Sequence, residues 1–338
     1  MNLTLAGLNY KYAPVSLRER VYFSKKDIFL ALQGLFEKGI VRGAVILSTC
    51  QRTEIYAEAD DASSLRSFLL DFKNTGEFPL DYFYIKQNNE AILHLFTVAA
   101  GLDSLIIGEN EILHQVKEAY FLAKRFEATT PFLNRVFERA LFAGKQARQN
   151  TTFFQKDPSL AKTAVGIAKT LSGDMSAKNI FIIGAGSVAA GIANYCAKEG
   201  GAFTIVSTRT FQKARSLALR FGQEAVSLLE FYKRLDEADI VFSATASPHL
   251  ILKKEAFEQN RRSIKPLLLF DLALPRDIDS AIAGFNNVRL FNVDDLAVEP
   301  HANAPDIKQA LQHVREKTQR FLCKLERSRS ASGQACLR

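Results

Sequence analysis

The clearest structural signal in this sequence is an apolar strand that runs straight into a glycine-containing turn: Asn179-Ile180-Phe181-Ile182-Ile183-Gly184-Ala185-Gly186-Ser187-Val188-Ala189. Glycine pairs are common, but this pair stands between a buried strand and a helix. Gly184 permits the tight turn, Gly186 lets the backbone approach a pyrophosphate, and Ala189 allows the helix to pack closely on the strand. The following helix offers unpaired N–H groups to phosphates. The segment therefore predicts a dinucleotide site, and a purely structural turn is the alternative. The residues predicted to hold the cofactor are Gly184, Ala185, Gly186, Ser187, Val188 and Ala189.

The second strand of this region, Phe203-Thr204-Ile205-Val206, bears on the choice of cofactor because of the residues that follow it. NAD sites usually place an acidic residue there to hold the ribose 2′-OH. This chain instead has Ser207, Thr208 and Arg209, and hydroxyl groups with a guanidinium suit a 2′-phosphate. NADPH is therefore the predicted cofactor, and a surface arginine in a loop is the alternative interpretation.

The spacing of apolar segments predicts a multi-domain α/β protein. Strands separated by helices, with further strands at 239–243, 267–271 and 288–291, imply a parallel, doubly wound Rossmann-type sheet. The first part of the chain has the order βαββαβ, which is typical of a ferredoxin-like α+β unit. Its predicted strands are 2–9, 43–49, 53–59 and 82–85, and its predicted helices are 24–38 and 61–72. Added helices follow over 89–171, and a C-terminal helix begins near residue 294.

One of four cysteines follows the second predicted strand, in Ser48-Thr49-Cys50-Gln51-Arg52-Thr53-Glu54. A thiol at the end of a strand can be held at the rim of a cleft, and a nearby guanidinium would raise its thiolate fraction. If residues 48–52 stay extended, the side chains of Cys50 and Arg52 point to the same side. Taken alone, the segment fits a nucleophile and a partly buried structural cysteine equally well.

Composition limits the classes of protein to which the chain can belong. Its 338 residues, 47% hydrophobic and 24% charged, suit a folded soluble protein of two or three domains. No apolar run approaches the roughly 18 residues of a membrane span, and residues 1–7 lack the layout of a signal peptide. The scattered cysteines predict neither a metal site nor disulfides, so a cytoplasmic setting is expected. The net charge of +8, concentrated near the C-terminus, invites a polyanionic partner; a solvated basic helix face is the alternative.

Several separated motifs together resemble the glutamyl-tRNA reductase family over roughly residues 1 to 300. The nucleophile block of that family resembles residues 48–56 of this chain. The other matching blocks are 94–96 through 101–104 and 108–109, then 115–117, 271–278 and 292–296.

The resemblance implies NADPH-dependent reduction of glutamyl-tRNA to glutamate 1-semialdehyde, the first committed step of tetrapyrrole synthesis from glutamate. Cys50 would attack the aminoacyl ester and hold the glutamyl group as a thioester for reduction. His94 matches the family's active-site histidine, which could polarise the ester or assist proton transfer. Arg52 would bind the substrate's carboxylate bidentately. The positions that match substrate binding are Thr49, Gln51, Arg52, Ser104, Glu109, Asn110, Glu111 and Gln115.

Three features depart from the family's pattern. Gln51 replaces the usual Asn, and Asn110-Glu111 replaces the usual Pro-Gln, which adds a negative charge near an anionic substrate. Only residues 296–338 follow the nucleotide domain, where the family usually has a longer helical dimerisation domain. The expected domains are 1–157 for catalysis and glutamate recognition, 158–295 for NADPH and 296–338 for a shortened dimerisation-type segment.

The expected partners are glutamyl-tRNA, a second copy of the chain and the downstream glutamate-1-semialdehyde aminomutase, with no membrane contact. Basic and aromatic side chains over 124–148 form a candidate tRNA surface, although an ordinary amphipathic pair of helices has the same pattern. Two other functions stay open. One is an NADP-dependent dehydrogenase of a free small molecule with Cys50 structural, and the other is a tRNA-binding sensor that catalyses nothing.

Overall fold

The computed structural model describes residues 2–149, 159–297 and 305–335. They divide into unit 1 (Met1–Pro158 with Val298–Arg338) and unit 2 (Ser159–Ala297). The C-terminal segment thus clusters with the first unit, and the functions assigned to the three predicted domains stay predictions. Within the described ranges, no helix combines the length and the apolar character needed to cross a membrane.

Unit 1 is built on a four-stranded antiparallel sheet with the strand order β2-β3-β1-β4. The strands are β1 (Leu3–Asn9), β2 (Gly43–Ser48), β3 (Arg52–Glu58) and β4 (Tyr84–Gln87). The helices between them are α1 (Val15–Arg18), α2 (Lys25–Glu37) and α3 (Ala62–Phe72). This topology confirms the predicted ferredoxin-like unit. The predicted start of the last strand is wrong by two residues, because Leu80–Tyr82 forms a 3-10 turn.

Helix α2 begins with a reciprocal cap. The Ser24 hydroxyl accepts from the backbone N–H of Asp27, and the Asp27 carboxylate accepts from the backbone N–H of Ser24. This reciprocal pair satisfies two N–H groups that would otherwise lack partners at the start of the helix.

Three helices follow the sheet and pack in the same core: α4 (Asn88–Ala99), α5 (Glu111–Arg125) and α6 (Pro131–Gln149). The apolar stripe of α5 is buried in full: Ile112, Val116, Ala119, Tyr120 and Ala123. Because these residues recur at three- and four-residue steps, they occupy one face of the helix.

Unit 2 is a parallel six-stranded sheet with the order β10-β9-β8-β5-β6-β7. Its strands are β5 (Ile180–Ile183), β6 (Phe203–Ser207), β7 (Glu224–Ser227), β8 (Ile240–Ser243), β9 (Leu267–Asp271) and β10 (Val288–Asn292). Its helices are α7 (Leu160–Ser172), α8 (Ser187–Lys198), α9 (Phe211–Leu219), α10 (Leu228–Lys233) and α11 (Lys254–Asn260). The predicted doubly wound fold is confirmed, and the strand order reverses between β5 and β8.

The sequence interpretation missed β7 for a physical reason. This short strand lies at the sheet edge, and only Val226 among its residues is buried. It therefore has no apolar run to mark it.

The C-terminal helix α12 (Pro305–Ala335) confirms the prediction of a helix in this part of the chain. The predicted start near residue 294 is wrong, because Val293–Leu296 forms a 3-10 turn. It packs against α4 and α6 within unit 1. Ala310, Val314 and Phe321 enter the unit 1 core, where the Phe321 ring stacks on Phe96 with a centroid distance of 5.8 Å.

Candidate active site

Cys50 lies in the tight turn that joins β2 to β3. The Thr49 side-chain oxygen accepts from the backbone N–H groups of Gln51 (3.1 Å) and Arg52 (3.2 Å), and the backbone N–H of Thr49 donates to the Arg52 carbonyl (2.8 Å). Tyr10 fixes the turn from β1 through a backbone bond to the Gln51 carbonyl. Residues 48–52 are therefore not extended. The prediction that alternation along an extended strand places Cys50 and Arg52 on one side is wrong in its premise, because the hairpin reverses the chain.

The guanidinium that acts on Cys50 belongs to Arg18. Its Nε donates to the Cys50 carbonyl (3.2 Å) and its Nη1 to the Ala13 carbonyl (2.8 Å). Cys50 keeps some exposure at the turn, but burial of its thiol and the negative charge of Glu109 raise the thiol pKa to about 12. Arg18 opposes this rise. The sequence interpretation, which looked for the charge at Arg52, missed Arg18 because it comes from α1.

Gln51 ties this turn to the loop before α5. Its side-chain Nε2 donates to Glu109 (2.8 Å), and its Oε1 accepts from the backbone N–H of Leu105 (2.9 Å). Burial raises the pKa of Glu109 to about 7, while the bond from Gln51 and the nearby Ser104 hydroxyl oppose the rise. Arg148 holds the same loop by donating to the Glu109 carbonyl (2.6 Å). The arrangement brings together four predicted residues, Gln51, Cys50, Ser104 and Glu109.

The fully buried carboxylate of Glu54 joins a second group of site residues, which includes Arg52 and His94. It accepts from Arg52 Nη1 (3.0 Å), His94 Nε2 (2.8 Å) and the Tyr56 hydroxyl (2.6 Å), and the Tyr84 hydroxyl also donates to it. Burial alone would raise the pKa of Glu54, but the Arg52 charge and the His94 ring hold it well below its usual range. The structure thus joins the predicted residues Arg52 and His94 through a carboxylate that the sequence interpretation did not name as a site residue.

Glycine at position 7 makes this cluster possible. Across the sheet, Gly7 of β1 pairs with Glu54 on one side and with Tyr84 on the other. A Cβ atom on Gly7 would lie 2.8 Å from Glu54 Cγ and 2.7 Å from the Thr53 carbonyl oxygen. Its absence lets the Glu54 side chain lie over β1 and reach Tyr84. Strand alternation was the signal that could have identified Glu54, because Arg52, Glu54 and Tyr56 share one face of β3.

Arg52 is enclosed by protein carboxylates. Besides Glu54, its Nη1 lies 2.9 Å from Asp103 Oδ2, and its Nη2 donates to the Asp103 backbone carbonyl. Lys11 also pairs with Asp103. The Nε of Arg52 is buried without a hydrogen-bond partner in the described part of the chain. Asp103 lies in a matching sequence block, but its pairing with Arg52 was not predicted.

The remaining predicted substrate residues lie at the start of α5. Asn110 is exposed and accepts from Arg148 Nε (3.2 Å). Glu111 is the first residue of the helix and is also exposed, and its charge contributes to the raised pKa of the Cys50 thiol. Gln115 lies one turn further on and is half-buried.

In unit 2, the two glycines of the predicted dinucleotide turn have different surroundings. Gly184 has φ +112°, and a Cβ there would lie 2.5 Å from the Ala244 carbonyl oxygen. Gly186 is the N-cap of α8, and a Cβ at that position would meet nothing within 4 Å. Ala189 is fully buried. The turn is therefore closed by packing at its first glycine and open at its second, where α8 presents its N-terminal N–H groups.

Two buried carboxylates, Asp277 and Asp271, accept hydrogen bonds near this turn. Asp277 accepts from the Ser243 hydroxyl (2.7 Å), the Thr245 backbone N–H (2.9 Å) and the Thr245 hydroxyl (2.6 Å), and so holds the segment that lies against Gly184. Asp271 accepts from three backbone N–H groups, and burial and the charge of Asp277 raise its pKa to about 7.

The end of β6 carries the residues predicted to choose the cofactor. Ser207 is the last residue of the strand, and both Ser207 and Thr208 are half-buried. Arg209 is exposed, and its Nη2 donates to the Ala246 carbonyl. In the ranges that the structure describes, no group of three His, Cys, Asp or Glu side chains is arranged to hold a metal ion.

Both units match known families. Residues 6–151 match the family model described as glutamyl-tRNAGlu reductase, N-terminal domain, and residues 166–298 match the model of shikimate/quinate 5-dehydrogenase. The glutamyl-tRNA reductase of Desulfitobacterium hafniense is 38% identical over 327 residues, which are 94% of this chain and 74% of that relative. The glutamyl-tRNA reductase of Syntrophotalea carbinolica is 38% identical over 303 residues, 88% of this chain and 68% of the relative.

A solved structure agrees with these matches. Glutamyl-tRNA reductase from Methanopyrus kandleri is 31% identical, with a TM-score of 0.51 over 96% of this chain and 80% of that one. Identity at this level, extending through both units, indicates common descent rather than a shared fold alone. The chain belongs to the glutamyl-tRNA reductase family.

Proposed function

We propose that this chain reduces glutamyl-tRNA to glutamate 1-semialdehyde with NADPH, the first committed step of tetrapyrrole synthesis by the five-carbon route. Membership of the glutamyl-tRNA reductase family supports the reaction. The observation that carries the choice of nucleophile is the hydrogen-bonded turn from Thr49 to Gln51. It holds the buried thiol of Cys50, a residue that is itself only partly exposed, beside the loop that bears Glu109.

Cys50 would act by nucleophilic attack on the ester carbonyl. A bond forms between Sγ and the carbonyl carbon, the C–O bond to the tRNA ribose breaks, and the ribose oxygen takes up a proton. Because the thiol pKa is raised to about 12, Cys50 holds its proton at neutral pH and must lose it as the C–S bond forms. Glu109 acts on the thiol electrostatically and has a pKa of about 7, which suits a base that accepts this proton.

The residues of unit 2 fit a nicotinamide dinucleotide. The open position at Gly186 and the N-terminus of α8 would bind the pyrophosphate, and Ser207, Thr208 and Arg209 would contact a 2′-phosphate. When bound, the cofactor supplies the hydride that reduces the glutamyl thioester. One hydrogen bond of Arg209, to the Ala246 carbonyl, leaves further donors of its guanidinium for a phosphate.

Cofactor choice is tested by Arg209→Gln. The variant should bind NADPH about tenfold more weakly and NADH equally well, since a lost hydrogen bond to a charged group is worth roughly this much. Arg215→Gln, an exposed arginine of α9, is the matched control. Equal loss of affinity for both cofactors would show that Arg209 does not recognise the 2′-phosphate.

Recognition of glutamate by Arg52 would involve an exchange of carboxylates. The Asp103 carboxylate accepts from Nη1 and the Asp103 backbone carbonyl accepts from Nη2, so the substrate's carboxylate would displace the Asp103 side chain from Nη1. Asp103→Asn weakens the competitor and should lower KM for glutamyl-tRNA. A higher KM would instead assign Asp103 to holding Arg52 in position. The other proposed substrate contacts are Thr49, Gln51, Ser104, Glu109, Asn110, Glu111 and Gln115.

The main test combines turnover with trapping of the thioester. Wild type should form semialdehyde from glutamyl-tRNA and NADPH, and without NADPH it should retain a labelled glutamyl group that hydroxylamine removes. Cys50→Ser should do neither, while Cys323→Ser, at a partly exposed cysteine of α12, should do both.

Other outcomes favour the alternatives. Reduction of free glutamate at a comparable rate, or full turnover by Cys50→Ser, would favour a dehydrogenase of a small molecule. Tight tRNA binding by the wild type without any semialdehyde would favour a non-catalytic sensor.

A further inference from the structure

Three helices of unit 1 line an open pocket, which we call the α6–α12 pocket. It measures about 190 Å³ and lies between α4, α6 and α12. Its lining residues are aromatic, basic or alanine: Phe96, Arg139, Phe142, Ala143, Lys317, Arg320, Phe321 and Lys324. None of the described residues that line it carries a carboxylate. The stacked rings of Phe96 and Phe321 form the apolar part, and Phe142 keeps half of its surface exposed.

The cations of this pocket come from two helices far apart in sequence. Lys317, Arg320 and Lys324 recur at steps of three and four residues, so they share one face of α12, and Arg139 faces them from α6. Like charges at this spacing repel each other, so their concentration at one place favours an anionic ligand. The positive charges of Lys317 and Arg320 also act on His313: burial and these two charges lower the pKa of its ring.

We propose that the α6–α12 pocket is an RNA-contact surface. Phe142 stacks on an unpaired base, and Arg139, Lys317, Arg320 and Lys324 bind the flanking phosphates. The inference rests on the proposed function, because it assigns the RNA of that substrate to a face of unit 1. Basic side chains alone would serve any polyanion, but an exposed aromatic ring among them is the combination that grips unpaired nucleotides.

A second copy of this chain fits the pocket poorly. A two-fold contact through this face would bring four cations against four cations, and the resulting repulsion disfavours such a pairing. Charge complementarity therefore selects the polyanion as the occupant.

The test measures the affinity of the full chain for unacylated tRNA over a range of salt concentrations. Arg139→Glu and Arg320→Glu should each weaken binding and reduce the slope of log Kd against log salt by about one, the value for one lost phosphate contact. Phe142→Ala should weaken binding about tenfold with an unchanged slope, since it removes only base stacking. Lys26→Glu, the same charge change at an exposed position of α2, should leave the slope unchanged.

Turnover separates this inference from the proposed function. The variants should react with a short glutamyl ester that carries no RNA as wild type does, and their KM should rise only for glutamyl-tRNA. If wild type binds and reduces glutamyl-tRNA but the variants bind tRNA equally well, the inference is overturned and the proposed function stands. If wild type binds no tRNA, both fail. Variants that change the sedimentation coefficient but not the affinity for tRNA would assign the pocket to a contact between copies, and so overturn the inference.

Discussion

Nε2 of His94 lies 2.8 Å from Oε1 of Glu54, a carboxylate with no exposed surface. An ionised carboxylate can only accept hydrogen bonds, so Nε2 carries the hydrogen and Nδ1 is the basic nitrogen of the neutral ring. Glu54 thus sets the tautomer of the predicted catalytic histidine. The same oxygen, Oε1, also accepts from Arg52 Nη1, so Glu54 positions two predicted site residues.

Glu54→Gln should destabilise unit 1 by about 3 kcal/mol at pH 7, because it leaves buried Arg52 short of one counter-charge. The folded-state pKa of Glu54 is depressed, so its contribution is complete above the unfolded pKa of about 4.3 and shrinks as the pH falls below it. Urea unfolding of both proteins at pH 7 and at pH 3.5 measures this. Tyr84→Phe, which removes one donor to Glu54, should cost only about 1 kcal/mol. A difference between wild type and Glu54→Gln that does not depend on pH would contradict the assignment.

Glu109→Gln should make Cys50 more reactive toward iodoacetamide, which alkylates the thiolate, since the Glu109 charge raises the thiol pKa. Turnover of glutamyl-tRNA, which uses Glu109 as the proposed base, should fall in the same variant. Because the pKa of Glu109 is about 7, the gain over wild type should be clear at pH 8 and should vanish near pH 6, where Glu109 is protonated. Rates of alkylation of Cys50, read by mass spectrometry, provide the measurement. Glu111→Gln removes a smaller influence on the same thiol and should give a smaller gain. Equal rates for wild type and Glu109→Gln at pH 8 would refute the coupling.

Gly186→Ala should weaken binding of a nicotinamide dinucleotide at least tenfold while leaving the thermal midpoint unchanged. Its new Cβ meets no protein atom within 4 Å, so any loss reports contact with the ligand. Gly184→Ala is the contrasting variant, because its Cβ would lie 2.5 Å from the Ala244 carbonyl oxygen and its φ of +112° is strained for alanine. That change should lower the midpoint as well. Calorimetric titration and thermal unfolding check both, and undiminished affinity in Gly186→Ala would argue against a pyrophosphate at this turn.

The stability of unit 2 should fall as the pH rises from about 4 to 7. The folded-state pKa of Asp271 is raised to about 7 while an unfolded aspartate titrates near 3.9, so the folded state binds the extra proton over this window. The free energy of unfolding should fall by at most about 1.4 kcal/mol per pH unit. Asp277→Asn removes the neighbouring charge and should flatten this slope. Amide hydrogen exchange of β8 and β9 measures the effect, with exposed Asp174→Asn as the control. An unaltered slope in Asp277→Asn would show that the two carboxylates are not coupled.

The fold was predictable because its signals are local. Apolar runs such as 180–183, the Ser24 cap and the glycines at 184 and 186 each act over a few residues, and together they indicate both sheets and the dinucleotide turn. The polar edge strand β7 carries no such signal and was missed.

The site was predictable in part. The sequence marked Cys50 as a residue at a strand end, and the resemblance to a family pointed to His94 and Arg52. Neither could show that Arg18 lies beside Cys50, since the two are 32 positions apart and meet only when α1 packs against the hairpin. The bond from His94 to Glu54 spans 40 positions, and that from Arg52 to Asp103 spans 51.

Local periodicity therefore indicated most of the helices and strands, because hydrogen-bonded backbone and one buried face are properties of short segments. Only the tertiary structure showed which charged groups surround Cys50 and Arg52. It also showed that α6 and α12 line one basic pocket. Those contacts depend on which strands are neighbours and which helices cover them, and such long-range pairings leave no mark on the spacing of residues in the sequence.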